Sequence, residues 1–175
     1  GIFYNNYISH KMASFKEFWK WRKESTKPDP ISFPLTKNNP TFLKKNKTQK
    51  TLTWIGHASF LLQVDGINIL TDPHLTKRAS PVIFAGPSRT TPPGLLLEDL
   101  PDIDIIVISH NHYDHLDYQT ILNITRKQKN NQPLVLVPLK LKKLLESFGA
   151  RNVKELEWWE NTTFKNLTIH SVPVQ

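Results

Sequence analysis

The chain has 175 residues, of which 38% are hydrophobic, and it carries a formal net charge of +8 with no cysteine. This size and apolar content suit one folded domain with a buried core, and no apolar run approaches the ~18 residues that cross a membrane. Because cysteine is absent, there is no disulfide framework, and any metal site must use histidine and carboxylate ligands.

Positive charge is concentrated at the start of the chain. Residues 1–50 hold eleven Lys/Arg and three Asp/Glu, whereas residues 51–175 hold twelve of each. Residues 11–23 predict a basic amphipathic helix, since Met12, Phe15, Phe18, Trp19 and Arg22 recur at helical spacing with lysines around them. Such a helix either contacts an anionic membrane peripherally or packs its aromatics on the protein with its lysines in solvent. A nucleic-acid partner is not expected, because basic charge alone is a weak signal.

The next segment is rich in proline, which breaks regular structure. An extended linker is predicted from the prolines that lie among Thr, Asn and Lys, namely Pro28, Pro30, Pro34 and Pro40. Residues 1–50 are therefore expected to form a basic N-terminal extension and linker, and residues 51–175 a folded domain.

Strands begin at Thr51. Three short apolar segments predict strands, with Asp65-Gly66 as a tight turn before the third: Thr51–Ile55, Phe60–Val64 and Ile67–Leu70. Residues 76–94 hold four prolines and predict a long loop, in which Arg89 could offer bidentate donors to a phosphate. The continuous apolar run Ile103–Ile108 predicts a strand that is covered on both faces.

Helices and strands alternate after that run. The expected elements are a helix over Tyr118–Lys127 capped by Asp117, a strand over Leu134–Val137, a helix over Leu139–Phe148 ended by Gly149, and strands over Val153–Leu156 and Leu167–Val172. This order predicts the α/β class, with one sheet and flanking helices forming half of a sandwich. Such a half alone would leave apolar sheet surface uncovered.

The string Ser109–Asp117 follows the apolar run directly and holds three histidines and two carboxylates. In an extended segment residues i and i+2 point to the same side, so His110 and His112 can turn onto one ion. Asp114 continues that alternation and His115 projects differently, so these two can serve a second ion. Neutral imidazole and carboxylate suit zinc, and iron or manganese would also accept them. The string predicts a site for two divalent ions.

The motif His110-x-His112-x-Asp114-His115 is identified as the ligand motif of the metallo-β-lactamase superfamily. The whole string Ser109–Asp117 resembles the branch that contains the N-acyl phosphatidylethanolamine-hydrolysing phospholipase D. Five further segments resemble that branch in the same order: Thr53–Phe60, Leu70–Pro73, Arg78–Pro81, Gly86–Arg89 and Glu155–Glu160.

The resemblance implies a metallo-β-lactamase-like αββα sandwich, of which residues 51–175 form the N-terminal half. It also implies a hydrolase that uses metal-activated water on a phosphodiester such as an N-acyl phosphatidylethanolamine lipid. His110 and His112 would hold one ion, and Asp114 and His115 the other. Asp114 would in addition orient the water or carry a proton.

The sequence allows two roles for several residues near the motif. By the resemblance, Asp72 orients a ligand histidine through the second ring nitrogen, although a plain Asp-Pro turn is the alternative. His57 either borders the site or is structural, and Asp117 is a helix cap, an orienting group or both. His74 has no motif around it and is expected to be structural.

In this branch a segment like Ser171–Gln175 is followed by further metal ligands. The chain is therefore expected to stop at a boundary before the second half of its domain, and to be inactive without that half as a partner.

Alternatives to phospholipase D activity are another hydrolase of the same fold, such as a lactonase, and a membrane-associated protein without activity. A cytoplasmic or peripheral-membrane location is expected.

Overall fold

The computed structural model describes residues 14–26, 34–82 and 84–173. They fall into two compact units, with residues 14–26 and Pro173 in the first and residues 34–82 and 84–172 in the second. The helices are α1 (Phe15–Glu24), α2 (Pro40–Lys45), α3 (Tyr118–Lys127) and α4 (Lys142–Ser147), with a 3₁₀ turn at Leu97–Asp99. The strands are β1 (Thr51–Gly56), β2 (Ser59–Val64), β3 (Ile67–Thr71), β4 (Ile105–Val107), β5 (Leu134–Pro138), β6 (Val153–Leu156), β7 (Asn161–Phe164) and β8 (Leu167–His170).

The first unit is described through α1, which begins at a capping box. Ser14 Oγ accepts from the Glu17 backbone N–H at 3.3 Å, and the Glu17 carboxylate accepts from the Ser14 N–H at 2.6 Å. The helix predicted over residues 11–23 is confirmed from Phe15 onward; Lys11 and Met12 lie outside the described residues.

The second unit is built on a six-stranded sheet with the order β1-β2-β3-β4-β5-β6. The first three strands form an antiparallel meander, and β3 to β6 run parallel to one another. Asp65 and Gly66 turn the chain between β2 and β3 with φ values of +50° and +74°. Positive φ at both positions is the requirement of a type I′ turn, so the predicted hairpin is confirmed. Parallel strands bring their carboxyl ends to one edge of the sheet, where side chains that follow β3 and β4 meet.

Alternating side chains of the strands form two apolar clusters, one on each face of the sheet. On the helical face, Ile106 packs in one cluster with Ile121 of α3 and Leu145 of α4. On the other face, Ile69 and Ile105 belong to a cluster that also receives the β7–β8 hairpin, through Phe164, Leu167 and Ile169. The α/β class with helices on a central sheet is confirmed. The apolar face expected to be bare is covered in part by this hairpin.

Some elements confirm the predicted bounds closely. Asp117 caps α3 by accepting from the Gln119 backbone N–H at 3.1 Å, as the sequence predicts. Gly149 ends α4 with φ +93°, a value that favours glycine.

Other elements differ from the predictions. Pro40 begins α2 where an extended linker was expected, because Asn39 caps the helix and proline is tolerated at its first position. Leu43 of α2 is buried in the core of the second unit. The helix predicted from Leu139 begins only at Lys142, since Lys140 adopts φ +70°, which is not helical.

Three strands also depart from expectation. β4 is shorter than the predicted Ile103–Ile108, although Asp104 and Ile108 still donate to neighbouring strands through their backbone N–H groups. β8 ends at His170 rather than Val172, and β7 was not predicted. In the part of the chain that the structure describes, no helix has the length and apolar content needed to cross a membrane.

Candidate metal centre

The candidate site lies where β3 and β4 end side by side. β3 leads into Asp72, and β4 leads through Ile108 into the string that begins with Ser109. The Asp72 backbone N–H donates to the Val107 carbonyl at 2.8 Å, which continues the ladder past the end of β3. The ligand string is therefore held against the turn that carries Asp72.

The Asp72 carboxylate binds the string at three points. It accepts from the Ser109 backbone N–H and from Ser109 Oγ, both at 2.7 Å, and it lies 2.9 Å from His115 Nδ1. Because the carboxylate only accepts, His115 carries its proton on Nδ1, and its Nε2 presents a lone pair. Asp72 thus contacts a predicted ligand in the way expected of an orienting group.

The same carboxylate reaches His110 through Ser109. The Ser109 hydroxyl has one proton, which it donates to Asp72, so it accepts from His110 Nδ1 at 2.9 Å. His110 consequently presents a lone pair at Nε2. That nitrogen faces His112 Nδ1 at 3.0 Å. The structure therefore brings His110 and His112 together, as the i, i+2 spacing predicts.

Asp114 and His115 meet a fourth histidine, His57. Asp114 Oδ2 lies 2.8 Å from His57 Nε2 and 3.7 Å from His115 Nε2. One ligand atom from each of these three residues lies within 4.8 Å of the others, a spacing that can surround one ion. His57 lies in the tight turn between β1 and β2. The sequence predicted that it borders the site or is structural, and in the structure it contacts Asp114 directly.

The environment sets the charge of two members of the cluster. Burial, together with the neighbouring rings of His115 and His112, lowers the pKa of His110 and favours the neutral imidazole. Burial by itself would raise the pKa of Asp114, but its own backbone N–H and the imidazoles of His115 and His57 outweigh burial and lower it. A neutral imidazole and an ionised carboxylate are the forms in which these groups bind a metal.

Asp117 lies apart from these contacts. Its carboxylate caps α3, accepts from Thr120 Oγ1 at 2.5 Å and from the Thr76 backbone N–H at 3.2 Å. Among the described residues it contacts none of the predicted ligands. These contacts favour a helix-capping role for Asp117 over an orienting role. The same carboxylate also holds the loop that starts at Thr76 through a hydrogen bond.

The cluster opens into a cavity of about 550 Å³. His57, His112 and Asp114 line it on one side, and Arg89 and His74 line it as well. His74 is 5% exposed, and its Nδ1 lies 3.1 Å from Arg89 Nη2. Burial lowers the pKa of His74, against the opposing effect of the Arg78 backbone, and the charge of Arg89 lowers it further. The ring is therefore neutral and accepts from Arg89.

The donor set fits divalent ions of the zinc, iron or manganese type. Imidazole nitrogens and a carboxylate converge without any thiolate, and the two tautomers fixed by Asp72 leave a lone pair on His110 and on His115. His110 Nε2 lies 3.0 Å from His112 Nδ1, close enough for both nitrogens to bind one ion once His112 Nδ1 is deprotonated. These residues would hold the ions that the sequence predicts.

Sequence reasoning missed Ser109 as the link between Asp72 and His110, and it missed His74 as a wall of the cavity. Ser109 stands beside the motif but has no signal of its own. The contacts of His74 depend on a loop that returns fifteen residues later, at Arg89.

Comparisons with known proteins agree with this architecture. The profile of the beta-lactamase superfamily domain matches residues 67–175. The chain is similar to the N-acyl-phosphatidylethanolamine-hydrolyzing phospholipase D 1 of Caenorhabditis elegans, with 44% identity over 132 residues, which are 70% of this chain and 36% of that protein. It is also similar to the mitochondrial N-acyl-phosphatidylethanolamine-hydrolyzing phospholipase D of Saccharomyces cerevisiae, with 35% identity over 72% of this chain and 27% of that protein.

A solved structure shares the fold. CmlA, a diiron beta-hydroxylase from Streptomyces venezuelae, superposes with a TM-score of 0.56 and 26% identity over 73% of this chain and 24% of its own. The chain thus spans 36% and 27% of the length of the two curated relatives. The resemblance to the metallo-β-lactamase superfamily, predicted from the ligand string, is confirmed by a domain match that covers more than half of the chain. The chain belongs to the beta-lactamase superfamily.

Proposed function

We propose that this protein is a metal-dependent hydrolase that cleaves phosphodiesters in the manner of a phospholipase D, with N-acyl phosphatidylethanolamine-like lipids as substrates. The observation that carries the proposal is the convergence of four side chains beside one cavity, with Asp72 behind them: His110, His112, Asp114 and His115. The similarity to the nematode phospholipase D supports the substrate class. Fold alone would not, because the superfamily fold hosts many activities.

His110 and His112 would hold one divalent ion, and Asp114 and His115 the other, with zinc as the first candidate. When bound, such ions lower the pKa of a water molecule toward neutrality and polarise the phosphoryl oxygen of the substrate. The division of the chain into a basic extension, residues 1–50, and the first half of the catalytic domain, residues 51–175, is part of the same proposal.

The residues of the chain supply orientation and charge. Asp72 holds the tautomer of His115 directly and that of His110 through Ser109, so Nε2 of each ring keeps a lone pair. The His110 Nε2 lies beside His112 Nδ1, and the His115 Nε2 lies beside Asp114. Asp114 has a lowered pKa. At neutral pH it is therefore an acceptor, which suits a group that orients a water molecule better than one that stores a proton.

The test is an assay of the full-length gene product, since the chain spans 36% of the length of the nematode relative. N-acyl phosphatidylethanolamine is compared with a panel of lactones under matched metal loading. Preferential release of N-acylethanolamine supports the proposal, whereas turnover of lactones alone assigns the alternative, a lactonase. Absence of any turnover by the metal-loaded protein would favour the inactive, membrane-associated alternative.

We also propose that α1 contacts an anionic membrane peripherally. Its aromatic side chains Phe15, Phe18, Trp19 and Trp21 are between 44% and 75% exposed, and Lys16, Lys20 and Lys23 accompany them. Aromatic and basic side chains on one helix are typical of segments that lie in the lipid interface. Replacing Trp19 and Trp21 by serine should weaken binding to phosphatidylserine vesicles, and unchanged sedimentation with vesicles would contradict the proposal.

A further inference from the structure

Arg89 is an unusual cation, because it is half-buried and has no acidic partner. It lies in the loop between β3 and β4, and no carboxylate among the described residues comes within ion-pair distance of it. Burial lowers the pKa of its guanidinium, and the charge of Asp117 compensates only from a distance. A buried charge without a partner is costly, so such a group is expected to meet a counter-ion in use.

The guanidinium is fixed from one side by protein acceptors. Nε donates to the Thr76 carbonyl at 3.4 Å, and Nη2 donates to the His74 carbonyl and to His74 Nδ1. The backbone is fixed as well, since the Arg89 N–H donates to the Lys77 carbonyl at 2.8 Å. His74 is held against β2, because its backbone N–H donates to Ser59 Oγ at 3.0 Å. Arg89 is therefore positioned before any ligand arrives.

The remaining nitrogen, Nη1, has no partner in the described part of the chain. It lies over Gly56, where a Cβ would come within 2.6 Å of it, and Gly56 has φ +146°. A glycine at this position leaves room for the guanidinium. Arg89 and Gly56 line the same cavity as His57, His112 and Asp114. The free N–H pair thus belongs to the cavity that holds the candidate metal ligands.

We propose that Arg89 is the anion-binding residue of this cavity and that it binds a non-bridging oxygen of the substrate phosphodiester. This inference rests on the proposed function for the identity of the anion. A phosphodiester carries one full negative charge over two non-bridging oxygens, whereas a lactone or a carboxylic ester is neutral. Arg89 therefore selects phosphodiesters over neutral esters that reach the same metal ligands.

His74 acts as a positioning residue in this arrangement. Its Nε2 is buried and has no hydrogen-bond partner among the described residues. Its Nδ1 must accept from Arg89, so the proton lies on Nε2. The neutral ring thereby adds no competing cation next to the anion site.

The experiment compares Arg89→Gln with the wild-type full-length gene product, using dimethyl phosphate as the ligand. Binding is followed by ³¹P line broadening on metal-free protein, so that the metal makes no contribution. Loss of a charge-assisted hydrogen bond should weaken binding roughly 10- to 100-fold. Lys77→Gln is the matched control, because Lys77 is an exposed cation of the same loop that does not line this cavity, and its affinity should stay within about twofold of wild type.

Catalysis provides the second readout, with bis(4-nitrophenyl) phosphate compared with 4-nitrophenyl acetate on the metal-loaded protein. Arg89→Gln should lower kcat/KM for the diester by a similar factor and leave the neutral ester nearly unchanged. Equal losses on both substrates would indicate a structural role and overturn the inference. If the wild type cleaves no diester, the proposed function fails, while dimethyl phosphate binding still decides the role of Arg89.

Should Arg89→Gln fail to fold, Arg89→Lys decides the question. A single ammonium cannot keep the bonds to Thr76 and His74 and also reach the cavity, so affinity for dimethyl phosphate should fall at least about fivefold. Affinity equal to the wild type in a folded variant would overturn the proposal.

Discussion

Replacing Asp72 by asparagine perturbs the one carboxylate that fixes two ligand histidines. Asp72 has φ +37°, a conformation that asparagine tolerates better than alanine, so the backbone should keep its shape. The Ser109 backbone N–H can only donate, and it will retain the amide oxygen. The new NH₂ group then faces His115 Nδ1 and Ser109 Oγ, both of which must become acceptors.

The consequence is a change of tautomer rather than a loss of packing. His115 moves its proton to Nε2 and loses the lone pair that it held there, beside Asp114, for a metal ion. Loss of such a partner typically lowers metal affinity roughly 10- to 100-fold. The rearranged hydrogen bonds, in a side chain that is 10% exposed, should cost only about 1–2 kcal/mol of unfolding free energy.

The assay is the Zn²⁺ dissociation constant of the full-length gene product, measured by competition with a chromophoric chelator, alongside urea unfolding of the metal-free protein. Asp104→Asn is the matched control. Asp104 accepts from the Asn68 backbone N–H at 2.9 Å, at the opposite end of β4, so its loss should reduce stability without changing metal affinity. An Asp72→Asn protein that binds Zn²⁺ within about twofold of the wild type would refute the tautomer argument.

Three further predictions concern stability. Ile121 is fully buried, so Ile121→Ala should lower the unfolding free energy by about 2–5 kcal/mol in urea titration, and a loss below this range would contradict its place in the core. Asp117→Ala removes the cap of α3 and should cost about 1 kcal/mol with unchanged Zn²⁺ affinity; weaker metal binding would make Asp117 an orienting group after all. Because the pKa of His74 is lowered, the unfolded chain binds its proton at higher pH than the folded one, so stability should fall as pH drops below 6.5. Unfolding measured from about pH 8 to pH 5 should show a shallower fall in His74→Gln, and identical slopes would contradict a buried neutral ring.

Local signals sufficed for much of the fold. Asp65-Gly66 predicted its turn because a type I′ turn demands these residues, and Asp117 predicted the start of α3 because a helix needs an acceptor for its first N–H groups. β7 has no such signal, since Asn161 to Thr163 are polar. It becomes a strand by pairing with β8, and Phe164 then packs against the opposite face of the sheet. The proline of α2 was misleading, because the same residue breaks a helix interior and opens a helix N-terminus.

The candidate site also combines residues that the sequence predicts with residues that only the fold brings together. The i, i+2 spacing brought out His110 and His112, whose ring nitrogens indeed face each other. The partners from other segments depend on the sheet, which brings Asp72 beside Ser109 and His57 beside Asp114. The sequence indicated Arg89 as a possible donor to a phosphate. Its hydrogen bond to His74 and its position over Gly56 arise only from the tertiary fold.

Elemental analysis of the full-length gene product, combined with an assay of N-acyl phosphatidylethanolamine hydrolysis, tests the proposed two-metal site. His110→Ala is compared with His170→Ala, which removes an exposed histidine of β8 outside the candidate site. We expect two divalent ions per chain in the wild type and in His170→Ala, and we expect His110→Ala to lose at least one ion together with activity. Full metal content or undiminished hydrolysis in His110→Ala would contradict the proposed site.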